Sequence, residues 1–183
     1  MTDLTMRDLA ASGRLDGGTS EVTRPERPER TRLEQAIAAA IFVVATLAVA
    51  GIGSAVNSSG MDWYDSLEQP SIAPPGPTFG IVWTILYAMI AVSGWLAWRA
   101  TTRTAPTVTW AIQMAVNLAW TAVFFGLESP VGGVIVIAAL IPAVAINLRE
   151  AARVDTTAGV LLFPYFVWCC FAAALTVGVA VLN

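Results

Sequence analysis

The stretch Trp63–Tyr87, WYDSLEQPSIAPPGPTFGIVWTILY, changes character half-way along. Its first part is polar and carries Pro70, Pro74, Pro75 and Pro77. Each proline fixes φ and removes a backbone donor, so this part predicts an extended or turned path rather than a helix. From Phe79 the pattern becomes apolar, and Phe79, Trp83 and Tyr87 recur every four residues. On a helix that spacing stacks three aromatic rings along one face. A stiff loop therefore leads into an aromatic wall, and the remaining apolar segments can be read around it.

Composition sets the class. Of 183 residues, 56% are hydrophobic and 13% charged, and the mean hydropathy is +0.67, outside the soluble globular range. The net charge of −3 gives no basic surface for nucleic acid. Residues 1–32 are polar, end in the mixed-charge run Arg24–Arg30, and show no apolar period, which predicts a disordered tail. Five runs of about 20 mostly apolar residues follow, at 36–56, 79–98, 107–127, 131–148 and 158–182. The first is longer than the roughly 7–15 residues of a signal-peptide core, which favours a retained span. The expected fold is an all-α integral membrane protein, a bundle of five transmembrane helices over residues 33–183.

The basic residues orient the bundle. All ten are arginines: six precede the first span, Arg99 and Arg103 follow the second, and Arg149 and Arg153 follow the fourth. Five spans place all of these on one side, and the opposite side carries Asp62, Asp65, Glu68 and Glu128. Because basic residues in short loops stay cytoplasmic, the tail is expected inside the cell and the 57–78 connection outside, with the plasma membrane as location. Trp95, Trp98 and Trp110 read as interfacial anchors near the cytoplasmic ends. At 22 residues, the 57–78 connection is long for a compact bundle, and its prolines favour an ordered lid over a passive linker.

The third span separates into two faces. Ala111, Ala115, Ala119 and Ala122 form a small-residue ridge, a helix contact either within the bundle or across a homodimer. Opposite lie Gln113, Asn117 and Trp120. Polar side chains at membrane depth face the interior: a ligand cavity and structural hydrogen bonding are the two readings, the cavity being favoured by the adjacent aromatics. In the fifth span Tyr165, Trp168 and Ala172 share a face, which packing alone would also explain. The neighbouring Cys169 and Cys170 point about 100° apart and read as helix packing, neither a disulfide nor a metal site. No metal cluster and no nucleophile–base pair is apparent.

These blocks resemble the tryptophan-rich sensory protein or translocator protein family. The resemblance rests on Trp63-Tyr64, Leu67, Pro70, Pro74-Pro75, Phe79, Val82-Trp83 and Leu86-Tyr87. It continues through Gln113, Asn117, Trp120 and Phe124-Phe125-Gly126, then Pro164-Tyr165, Trp168 and Phe171-Ala172. It implies a cavity inside the bundle, closed by the proline-rich loop, that takes protoporphyrin or haem. The residues it marks for the ligand are Trp63, Pro74, Pro75, Phe79, Trp83, Tyr87, Gln113, Asn117, Trp120, Tyr165, Trp168 and Ala172. Gln69 departs from the lysine common before the loop proline, and the motif for cholesterol lacks its basic residue. The chain has no histidine, which excludes an axial imidazole on haem iron. The expected function is a tetrapyrrole-binding sensor or transporter without an obligatory cofactor. Two alternatives stand beside it: light-dependent breakdown of bound protoporphyrin with Trp83 and Trp168 at the macrocycle, and a membrane assembly protein without a small ligand.

Overall fold

A computed structural model describes residues 29–183. Among them lie six α-helices: α1 (Arg32–Ser59), α2 (Met61–Ser66), α3 (Gly76–Ala100), α4 (Ala105–Thr121), α5 (Pro130–Val154) and α6 (Thr156–Leu182). A π-helical turn, Ala122–Gly126, continues α4. Five of these helices are long and apolar enough to cross a bilayer, and the short α2 lies in the first connection. The chain is an all-α, five-span bundle, as its hydropathy predicts.

Four of the five spans outrun the apolar run that announced them, and polar caps start three of these helices. Thr31 and Glu34 form a capping box that starts α1, which places the end of the supposed tail inside a helix. The rest of that tail, up to residue 28, lies outside the described residues. Ser129 accepts from the Gly132 amide and Asp155 from the Ala158 amide, starting α5 and α6. The lid is also more helical than its prolines suggested. Trp63–Ser66 belong to α2, and α3 begins at Gly76 because Pro77 falls in its first turn, where a missing N–H costs nothing.

Among the described residues, Arg30, Arg103 and Arg153 collect at one end. Arg30 donates to the Thr101 carbonyl at 2.9 Å, and Glu150 pairs with both Arg103 and Arg153, so the three arginine groups share a face of the bundle. At the other end Asn183 and Glu68 exchange hydrogen bonds through the Glu68 amide (3.0 Å) and carbonyl (3.2 Å). The C-terminal end of α6 thereby holds the lid. Trp110 is corrected from interfacial anchor to core residue. It is 7% exposed, donates to the Ile90 carbonyl and meets the Phe42 ring edge-on at 4.8 Å. Gly94 makes this possible, since a Cβ there would sit 2.7 Å from both rings. Trp95 and Trp98 stay half-buried beneath Arg99 and Arg30.

Candidate ligand cavity

Between α1, α3, α4 and α6, under the α2 lid, lies a cavity of about 990 Å³. The four-residue spacing in α3 brings Phe79, Trp83 and Tyr87 to its wall, and α6 adds Trp168 and Ala172. Trp120 comes from α4. These rings also pack on one another: Phe79 meets Trp168 at 6.0 Å, and Trp83 lies 5.4 Å from Tyr87 and 6.1 Å from Tyr165. Pro74 contributes from the lid, together with Tyr64, Asp65 and Gln69.

Other expected residues stand outside that lining. Tyr165 is wholly buried and Asn117 1% exposed, and they form a polar layer behind the wall. The Tyr87 hydroxyl donates to Asn117 Oδ1 at 2.9 Å, and Asn117 Nδ2 donates to the Tyr165 oxygen at 3.2 Å. Gln113, one turn before Asn117, is fully buried, and both its carboxamide atoms lack a hydrogen-bond partner among the described residues. It lies off the lining because the cavity ends higher on α4, at Trp120 and Thr121. Trp63 turns inward onto Phe124, ring to ring at 5.6 Å, and Pro75 is exposed at the start of α3. Neither belongs to the lining of the hollow.

Three contributions escape a reading by spacing. The π turn closes with the Leu127 amide on the Ala122 carbonyl at 2.9 Å, and the inserted residue brings both Phe124 and Phe125 to the cavity. Nothing in the sequence marks that turn apart from the Phe-Phe pair. The α1 wall, including Thr46, Gly53 and Ser54, had a signal in its small and polar residues within an otherwise apolar run. Asp65 at the rim was visible only as a loop carboxylate.

The small-residue ridge of α4 faces away from the bundle. Ala111, Ala115 and Ala119 are exposed and Ala122 is half-buried, which corrects the reading of a contact within the bundle. Cys169 is buried and Cys170 exposed, and both thiols are free.

A family model described as the TspO/MBR family matches residues 40–182, all five spans and the lid. The chain belongs to the TspO/MBR family. It is 36% identical over 148 residues to Protein CrtK of Rhodobacter capsulatus, covering 79% of this chain and 91% of that protein. It is 35% identical over 157 residues to Tryptophan-rich protein TspO of Chlorobaculum tepidum, covering 82% and 98%. The human Translocator protein is 29% identical over 125 residues, covering 66% and 74%. A TspO/MBR assignment makes the chain an integral membrane protein of the sensory and translocator kind, and it covers every wall of the cavity.

Proposed function

We propose that this chain binds a tetrapyrrole of the protoporphyrin or haem type in the bundle cavity and acts through that occupancy as a sensor or transporter. The observation that carries the reading is the aromatic wall: Phe79, Trp83, Tyr87, Trp120 and Trp168 converge on one hollow of about 990 Å³. That volume is at the upper end of the roughly 300–1,000 Å³ typical of small-molecule sites. A flat macrocycle suits such walls, because ring faces and edges attract aromatic partners beyond simple area burial. No imidazole is available to a haem iron, and the Tyr87 hydroxyl on the lining is engaged with Asn117, which leaves the ring face as the main source of affinity.

The test is a titration of the full chain in lipid nanodiscs with protoporphyrin and with haem, followed by tryptophan fluorescence. Saturable quenching beyond that of empty discs is the expected result. Quenching that rises linearly, as for partition into lipid, removes the reading. A second reading, light-dependent oxidation of bound protoporphyrin, draws on the two oxidisable indoles Trp83 and Trp168 at the same wall. Illumination of the complex in air distinguishes it through a new open-chain tetrapyrrole absorbance.

We also propose an orientation in the membrane and a surface for self-association. The arginine-rich end faces the cytoplasm and the lid faces outward across the plasma membrane, following the arginine asymmetry. A second copy packs against the exposed Ala111, Ala115 and Ala119 ridge with Ala122 at its edge, as small residues let helix backbones approach.

A further inference from the structure

The charge around the cavity has one sign. Asp65 is the charged residue of its lining, and no arginine among the described residues contributes to the wall. The chain has no lysine or histidine to take that role. On α3 the lining ends at Val92, and Arg99 follows seven residues later, roughly 10 Å further along the axis. Its guanidinium folds over the Trp95 ring at 4.5 Å. Arg30, Arg103 and Arg153 are engaged at that same end with the Thr101 carbonyl and Glu150.

The lid end is the reverse. Asp62, Asp65 and Glu68 lie on the lid and Glu128 in the link after the π turn, and no basic residue accompanies them in those two segments. Gln69 stands at the rim as a neutral amide, its nitrogen engaged with the Tyr64 carbonyl at 2.8 Å. An ionised carboxylate placed deep in such a cavity would lose its hydration and find no cation. Placed at the mouth, it would meet Asp65 within the range of unscreened repulsion. A macrocycle with esterified carboxylates avoids both penalties.

We infer, building on the tetrapyrrole reading above, that the cavity prefers tetrapyrroles whose peripheral carboxylates are esterified over the free diacids, and that Asp65 and Gln69 set this preference. The mouth is a charge filter. It admits the flat ring and disfavours the anionic rim of the diacid.

The experiment compares protoporphyrin IX with its dimethyl ester on the full chain in phosphatidylcholine nanodiscs, with empty discs subtracting partition. The ester is expected to bind on the order of tenfold more tightly. Gln69→Lys should strengthen diacid binding by about the same factor and change ester binding far less, and Asp65→Asn should act in the same direction by roughly 2- to 5-fold. Raising salt from about 0.01 M to about 1 M, which shortens the screening length from roughly 30 Å to roughly 3 Å, should tighten the diacid alone. Equal or tighter binding of the diacid by the unmodified chain overturns the inference, as does a Gln69→Lys effect of equal size on both forms. Failure of both porphyrins to bind above empty discs overturns the tetrapyrrole reading itself, and the charge filter with it.

Discussion

Tyr87 on the cavity wall and Asn117 behind it are joined by a 2.9 Å hydrogen bond that ties α3 to α4, and Asn117 passes the link on to Tyr165 of α6. One carboxamide thus fixes two phenols from different helices. Asn117→Leu leaves both hydroxyls without that partner at membrane depth. An unsatisfied buried polar group costs about 1–3 kcal/mol, and the variant should lose stability in that range. A thermal denaturation series in detergent checks it. Tyr87→Phe, which removes one member of the bond while keeping the ring, should cost less.

The wall itself predicts a graded effect on binding. Trp83 and Trp168 line the cavity from α3 and α6 and are both half-buried. Replacing either indole by phenyl reduces the aromatic area facing a ligand while keeping an aromatic ring. Aromatic contacts are worth about 0.5–1.5 kcal/mol each, so each variant should weaken porphyrin binding by roughly 2- to 12-fold. Absorbance titration with unchanged helical circular dichroism is the decisive combination. Unaltered affinity in both variants places the ligand elsewhere.

The sequence made the spans legible because a bilayer imposes a length and a composition that no packing detail can disguise. The α3 wall was legible for a related reason: Phe79, Trp83 and Tyr87 share one register, and an uninterrupted helix preserves it. The third span is where that logic stops. Its register held Gln113, Asn117 and Trp120 on one buried face, yet which of them meets the cavity depends on where the lid and α1 close it. Beyond Thr121 the π turn breaks the register altogether, so the placement of Phe124 could not be extrapolated. Trp110 failed for a different reason. Its burial depends on the space left by Gly94 on another helix, and that is a tertiary fact.

Glycine positions offer a matched pair. A Cβ on Gly60, the residue between α1 and α2, would lie 2.3 Å from the Phe125 carbonyl oxygen. Backbone cannot swing aside, so Gly60→Ala must shift the lid hinge or the π turn, and overpacking of this kind costs about 1–3 kcal/mol. A Cβ on Gly51, within α1, would meet nothing within 4 Å. There Ala should instead stabilise by about 0.5–1 kcal/mol through helix propensity. Opposite shifts of the melting temperature are expected from these two single-methyl additions.

Lid closure should also respond to pH through Tyr64. Burial raises its phenol pKa, and the neighbouring Asp65 carboxylate adds to the rise. The folded state therefore holds the phenolic proton more tightly than the unfolded chain does. The resulting stabilisation is fully present below the ordinary phenol pKa of about 10 and is lost as pH climbs through the raised folded value. Tyr64→Phe should remove this component, so the difference in melting temperature between the two proteins should vary above about pH 10 and stay constant below it. Asp65→Asn should retain part of the dependence, because burial is the larger cause. A difference that stays flat to pH 11, where roughly nine-tenths of an ordinary phenol is ionised, would show that Tyr64 meets water freely and that the lid does not close over it.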